Sequence, residues 1–291
     1  MPSFRYRELG NWYKGNTHIH STASDGGKTF AELARMYADQ GFHFLFRTDH
    51  WVASAVAQDK EKYPLVFFDG VELHGRDDHE SEYHVVCLGT FQGLREEMGL
   101  TQALKSVRRQ SGLLILAHPL WMGNTFEEAK RHKFDGVEVY NHVCQWLNGK
   151  SNSEPYFHAM LRKNSATLAI ASDDAHIVPA HPGWNGAWVM VNARALTQDA
   201  VLAALRSGNF YSTTGPAIHF FSVRDNLVTL ECSPVKFAWL TGPTHRGQRL
   251  GGEGTLTHAS FCVPRDWEYA CIVLEDEQGR RAWTNTLFIG D

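Results

Sequence analysis

The sequence has no apolar run long enough to span a bilayer, and its first seven residues lack the apolar stretch of a secretory signal. It also lacks a basic excess. Its 28 Lys and Arg stand against 32 Asp and Glu, a formal charge of −4, which gives no support for a nucleic-acid footprint or for attraction to anionic membranes. Cysteine is scarce and scattered: Cys87, Cys144, Cys232, Cys262 and Cys271 are odd in number and contain no Cys-x-x-Cys. Cys87, Cys262 and Cys271 sit in strand-like apolar runs, which predicts buried free thiols and fits a reducing cytoplasm. Repeats and low-complexity tracts are absent as well. The apolar fraction of 43% over 291 residues is that of an ordinary globular protein, long enough for one large and one small domain.

What the chain does have is histidine, sixteen of them, and their placement is informative. His18 and His20 flank one residue near the start. In an extended segment residues two apart project to the same face, so two imidazoles can aim at one point. Neutral imidazole is a good ligand for zinc and other first-row metals. Asp25 follows, just before Gly26-Gly27, where the strand should turn toward a helix. An isolated His-x-His could be no more than a polar strand end; the rest of the chain repeats the placement.

Thr29-Phe30-Ala31-Glu32 reads as a capping box opening a helix with Phe30, Leu33, Ala34, Tyr37 and Ala38 on its apolar stripe, closed by Gly41. Strands are expected at 42–46, 65–73, 84–88, 113–117, 136–140 and 168–171, with helices at 54–63, 101–110, 156–163 and 199–206 and a further short one opened by Thr125 and Glu128. Residues 74–82 read as a polar loop. Strands alternating with helices predict a mainly parallel α/β fold. Candidate ligands fall just past strand ends, where such folds build their sites: His18, His20, Asp25, His50, Glu72, His84, His118, Asp174 and His176. After Ser207-Gly208 the pattern becomes short strands (218–223, 227–231, 235–240, 257–263 and 271–275) separated by turn residues such as Ser233-Pro234 and Gly251-Gly252. This predicts a small antiparallel β domain over 217–291, hinged near Thr214-Gly215-Pro216, behind an α/β domain over 1–216.

Thr17-His18-Ile19-His20-Ser21, Ser24-Asp25-Gly26, Thr48-Asp49-His50, Gly70-Val71-Glu72, the His84 strand, Ala117-His118-Pro119, the segment from Gly136 to Asn141 and Asp173-Asp174-Ala175-His176 occur in one order. Together they resemble the polymerase and histidinol phosphatase (PHP) metallohydrolases. The stretch from Leu205 to Pro216 is similar to the close of the carbaryl-hydrolase-like branch, which often carries an extra β domain. The resemblance implies a distorted (β/α)7 barrel with two to three divalent ions, Zn, Mn or Fe, at its C-terminal rim. It implies His18, His20 and Asp174 on one ion, Glu72 bridging to a second completed by His84 and His118, and Asp25, His50 and His176 on a third. A metal-bridging hydroxide would then be the nucleophile, with no side chain in that role. Asp49 is expected to orient its surroundings and Asp173 to bond backbone, while Glu138 has the family's place without a clear metal role.

Three divalent ions against three ligand carboxylates and a hydroxide leave a surplus of roughly +2, which favours an anionic substrate. Arg47 stands before Thr48-Asp49-His50, where it either grips a phosphate bidentately or pairs with an acid in the outer layer. Trp51, Trp121, Trp146 and Trp184 fall in rim or loop segments and suggest a pocket for a flat group, with Trp51 and Trp121 the substrate-contact candidates. The leading expectation is a metal-dependent phosphoesterase acting on a small phosphate ester, an aryl phosphate or nucleotide among the candidates. The alternatives are a metal-dependent ester, carbamate or amide hydrolase, and a non-catalytic metal-binding accessory or sensor protein. Oligomeric state is not encoded in any of these features.

Overall fold

Thr29 and Glu32 do form the capping box, each side chain bonding the other's backbone N–H, and they start α1 (Phe30–Ala38). Thr125 and Glu128 repeat the device. Each such cap contributes about 1 kcal/mol and fixes where a helix leaves the rim. The computed structural model describes residues 10–56, 59 and 61–287. The first seven residues lie outside the described residues, as do three of the helix expected over 54–63; its described residues form no α-helix.

The elements up to the middle of the chain are β1 (Asn11–Asn16), α1, β2 (Phe44–Arg47), β3 (Val66–Arg76), β4 (Glu82–Leu88), α2 (Leu100–Arg109), β5 (Leu113–Leu116), α3 (Pro119–Met122), α4 (Phe126–Arg131) and β6 (Gly136–Asn141). They continue with α5 (His142–Asn148), α6 (Glu154–Leu161), β7 (Leu168–Ser172), β8 (Trp188–Ala193), α7 (Gln198–Ser207) and β9 (Phe210–Thr213). The last strands are β10 (Ile218–Arg224), β11 (Leu227–Thr241), β12 (Gly247–Cys262), β13 (Cys271–Glu275) and β14 (Arg281–Thr284). Most expected elements are present within a few residues. Strands β8, β9 and β14 and helices α3 and α5 were not anticipated.

The strands form one fourteen-stranded sheet in the order β10-β11-β13-β14-β9-β8-β1-β2-β3-β4-β5-β6-β7, with β12 on β11. Pairs β1–β2, β2–β3, β5–β6 and β6–β7 are parallel, but β4 runs antiparallel to both neighbours. The reason is local. Strand β3 extends through His74 to Arg76, shortening the expected loop to 77–81, and so short a connection makes a hairpin rather than a crossover. The mainly parallel reading is thus corrected to a mixed sheet.

The sheet does not close into a (β/α)7 barrel. Among the described residues the one ladder contact between β7 and the β1 segment is the isolated parallel bridge Ile19–Ala175, with the His20 amide donating to the Ala175 carbonyl and the Asp174 amide to the His18 carbonyl, both at 2.9 Å. The Ser212 hydroxyl ties β9 to β7, donating to the Ala169 carbonyl and accepting from the Ala171 amide.

On the C-terminal side, Ser233-Pro234 is an irregularity within the long β11, not a turn. Gly251 and Gly252 lie inside β12 with positive φ. Past the expected hinge, the Thr214 amide donates to the Arg281 carbonyl and the sheet continues from β9 into β14. Tyr269, Cys271, Val273 and Trp283 lie in one apolar cluster with Val137, Val139 and Ala169. Cys87 and Cys271 are buried as expected, but Cys262 is exposed, because alternation on β12 turns Phe261 inward and Cys262 outward.

One buried carboxylate ties together the strands and loops around the site. Asp173, at the end of β7, accepts from Asn16 Nδ2 at 2.9 Å, Tyr37 Oη at 2.7 Å and the amides of Asn185, Gly186 and Ala187. It is the backbone-bonding neighbour expected of it. Removing the Tyr37 hydroxyl leaves the carboxylate one donor short, so Tyr37→Phe is expected to lower stability by about 1.5–3 kcal/mol in urea unfolding. A neutral Tyr37→Phe would show that this network adds nothing to the fold.

Candidate metal centre

Strand β1 ends at Asn16, yet alternation persists through the Ile19 bridge, so His18 and His20 still share a face. Ile19 points the other way into an apolar cluster with Leu33, Tyr37 and Leu45. Thr48 Oγ1 both accepts from the Ile19 amide and donates to its carbonyl, pinning the segment. The chain then folds back so tightly that a Cβ on Gly26 would stand 2.3 Å from the His20 carbonyl oxygen, which is why glycine follows Asp25. Asp49 secures this turn, accepting from the Ser21 amide and hydroxyl and from the Ser24 hydroxyl.

Asp174 (φ 54°), His118 (φ 29°) and Trp51 (φ 55°) have left-handed backbones. Non-glycine residues adopt that conformation at a cost of about 1–3 kcal/mol, and only where surrounding contacts enforce it. Here it swings side chains from strand ends into the cleft.

The nine candidate ligands expected from the sequence converge there. His18 Nε2 and His20 Nε2 are 3.1 Å apart. Glu72 Oε2 is 3.1 Å from each, and Asp174 Oδ1 is 3.2 Å from His18 and 3.1 Å from His20. A tetrahedron with edges of about 3.3 Å places its corners about 2.0 Å from the centre, the zinc–imidazole distance. His18, His20, Glu72 and Asp174 are all buried, and the two facing oxygens, Glu72 Oε2 and Asp174 Oδ1, accept no hydrogen bond. Four acceptors facing one another away from water require a positive charge between them. The set fits a metal ion.

Two further groups able to hold an ion adjoin it: His20, Asp25, His50 and His176, and His50, Glu72 and His84. Asp25 lies 3.3 Å from His176 Nε2 and 3.7 Å from His50 Nε2. Glu72 turns Oε2 toward His18, His20 and His50, and Oε1 toward His84 at 2.9 Å and His118 at 3.5 Å. His50 therefore stands between two groups instead of in the outer one alone. His118 stands further out, also 3.6 Å from Asp174 Oδ2.

Glu138 acquires a role that the sequence left open. Its carboxylate accepts from His18 Nδ1 at 2.8 Å, the His118 amide, Asn141 Nδ2 and the Ser172 hydroxyl. With the proton held on Nδ1, the Nε2 lone pair of His18 points into the four-atom set. Asn141, which also donates to Asp174 Oδ2, and Ser172 were missed. Neither carries a signal of its own, since an amide and a hydroxyl at strand ends are common.

Arg47 takes the outer-layer alternative. Its Nη2 is 2.6 Å from Asp59 Oδ2 and its guanidinium lies over Phe30 and Phe67, the ion pair that was one of the two roles expected for it. Trp121 stands edge-on to His118 with ring centres 5.3 Å apart, and Trp51 beside His74 at 6.3 Å. Trp184 instead packs edge-on to Tyr37, and Trp146 is largely exposed on α5.

Without a cation, protons take its place. Burial works to lower the pKa of His20, but Asp174 and Glu72 outweigh it and raise it to about 9. His50, 4.6 Å away between ring centres, is lowered to about 4 by burial and by the neighbouring His20 charge. One ring holds the charge while the other keeps a lone pair free.

No protein-family model and no curated protein sequence matches the chain. Among solved structures it is similar to a two-domain protein from Bacteroides vulgatus containing a predicted PHP-like metal-dependent phosphoesterase, with 14% identity, 98% of each chain covered and a TM-score of 0.54. A proposed metal-dependent phosphoesterase from Bifidobacterium adolescentis aligns over 66% of this chain and 96% of its own, with 13% identity and a TM-score of 0.45. An amidohydrolase from Chromobacterium violaceum with bound sulfate aligns over 56% of this chain and 87% of its own, with 15% identity and a TM-score of 0.37. The first shows a shared fold over the whole chain, and the chain resembles PHP-like proteins in architecture as well as in motif order. The other two, below 0.5, add nothing to that.

The raised His20 pKa has a defined consequence for stability. Its stabilising contribution is complete below the ordinary 6.5 and is lost as pH rises through about 9. Chelator-stripped protein is therefore expected to lose about 1–3 kcal/mol across that window, read by urea unfolding at closely spaced pH values. The slope should flatten in His20→Gln. An unchanged stability across the window in the parent protein would refute the assignment of the charge.

Proposed function

We propose that the protein is a metal-dependent phosphoesterase acting on a small phosphate ester. The observation that carries this reading is the buried convergence of His18, His20, Glu72 and Asp174, with two further His/carboxylate groups sharing Glu72, His20 and His50. The shared fold with a PHP-like protein supports it. The nine side chains hold two to three ions, with Zn, Mn and Fe all compatible with a mixed imidazole and carboxylate set. Such ions supply Lewis acidity and a lowered water pKa.

The chain's residues then have distinct tasks. Glu72 presents one oxygen to each of two imidazole sets, which a carboxylate can do and a single imidazole nitrogen cannot. Glu138 fixes the His18 tautomer. Burial acts against the charge of Glu138, but His18 beside it holds its pKa low, so Glu138 brings the local surplus down from roughly +2 to about +1. That still favours an anionic group. Trp121 and Trp51 offer flat apolar surface at the edge of the imidazole cluster, suited to an aryl or nucleoside phosphate. The commitment of Arg47 to Asp59 favours the second reading, hydrolysis of a carboxylic ester or amide, because no guanidinium from β2 is left to grip phosphate.

The discriminating experiment is metal analysis of protein purified without chelator, joined to a screen of phosphate monoesters, phosphodiesters and aryl carboxylic esters. Phosphate esters should be the better substrates, and inorganic phosphate should inhibit competitively. Faster cleavage of aryl carboxylic esters with no phosphate inhibition would transfer the assignment to the second reading. A chain that binds no metal would end both.

Glu72→Ala and Glu72→Gln should each abolish hydrolysis, since neither side chain carries the shared negative charge. Near-normal turnover with unchanged metal content would show that the bridge is misplaced. Trp121→Ala should reduce a preference for aryl over compact phosphate esters by roughly three- to tenfold, the equivalent of about 0.5–1.5 kcal/mol of ring stacking, while metal content stays constant.

A further inference from the structure

Within the cleft, His74 is a ring that the nine-residue set does not use. Glu72 and His74 are two apart on β3, so both face the imidazole cluster. His74 sits directly opposite His84 in the β3–β4 ladder. Trp51 Nε1 donates to the His74 carbonyl at 3.1 Å, and this bond fixes the backbone there without using the ring. Its Nδ1 is 3.0 Å from His50 Nδ1, with the rings perpendicular and their centres 4.6 Å apart.

A neutral imidazole carries one N–H. Two ring nitrogens at 3.0 Å must therefore share a hydrogen, with one donating and the other accepting. Nε2 of His50 faces Asp25 in the outer group, where it is useful to a cation only as a lone pair. The proton of His50 then belongs on Nδ1, which assigns its one lone pair to the outer group and leaves His118, 3.5 Å from Glu72 Oε1, to complete the set with Glu72 and His84. Glu72 Oε2 is 3.2 Å from that nitrogen, but the same oxygen is directed into the buried four-atom set. His74 Nδ1 is closer and has no other partner among the described residues.

We propose that His74 is a positioning residue for the outer metal group. It accepts the Nδ1–H of His50 and so holds His50 Nε2 as a lone pair aimed at the ion shared with Asp25 and His176. This rests on the metal-centre reading above. It parallels the way Glu138 fixes His18, using an imidazole in place of a carboxylate.

The test uses full-length protein stripped of metal, titrated with Zn²⁺ and counted by mass spectrometry after desalting. His74→Leu removes the acceptor, whereas His74→Asn keeps an oxygen near the Nδ1 position. His74→Leu is expected to weaken the most loosely held ion by about 10–100-fold, leaving the tighter ions in place, and His74→Asn should recover most of that loss. Nitrogen-15 imidazole spectra of the Zn²⁺-loaded parent should show His50 protonated at Nδ1, a readout that needs no variant to fold. Parent-like binding by His74→Leu, His74→Asn no better than His74→Leu, or His50 protonated at Nε2 would each overturn the inference while leaving the metal centre standing. A parent protein that takes up no Zn²⁺ would instead overturn the reading on which it rests.

Discussion

Lone pairs that meet out of reach of water are the condition to which the rest of the molecule is fitted. His18, His20, Glu72 and Asp174 bring four acceptor atoms to within 3.1–3.2 Å of one another over the separations described. Nothing in their immediate surroundings donates to the two facing oxygens. Such an arrangement is unstable unless positive charge is present, and the protein supplies for it only protons on imidazole. The left-handed backbones at His118 and Asp174, the glycine behind Asp25 and the Asp49 and Asp173 networks keep the cluster from relaxing apart. Strain of this kind is retained where neighbouring contacts over-determine the geometry.

Around that cluster lies a shell of groups whose function is orientation. Glu138 decides the proton position on His18 and also holds the His118 amide. Asn141 joins Glu138 to Asp174, so an orienting carboxylate on β6 and a ligand candidate just past the neighbouring β7 are braced by one amide. Asp49 organises the Ser21–Ser24 turn that presents Asp25. The carboxylates inside the cleft and those behind it thus do different work, and the difference follows from whether hydrogen-bond donors reach them.

Much of the site was legible because its elements repeat one rule. His-x-His and Asp174-x-His176 each place two side chains on one face, His50, Glu72 and His118 stand at strand ends, and the order of the motifs joins them into one set. The capping boxes at Thr29 and Thr125 were equally plain, being local four-residue codes. What was hidden depended on contacts distant in sequence. Nothing in the neighbourhood of Arg47 tells whether its guanidinium meets a ligand or Asp59. His74 reads as loop until β3 is seen to run past it, and the antiparallel turn of β4 is set by the length of a connection. Strand β14 pairs with β9 across about seventy residues, a partnership that no local pattern encodes.

The open edge between β7 and the β1 segment carries a consequence of another kind. Its lone bridge, Ile19 with Ala175, has His18 and His20 on one side and Asp174 and His176 on the other. The side chains that crowd around a cation are therefore also the residues straddling the gap in the sheet. Unneutralised, their lone pairs repel across that gap, which the Asn16–Asp173 hydrogen bond also spans. The charge held at the centre is therefore felt where the two edges of the sheet meet, and not at a remote surface.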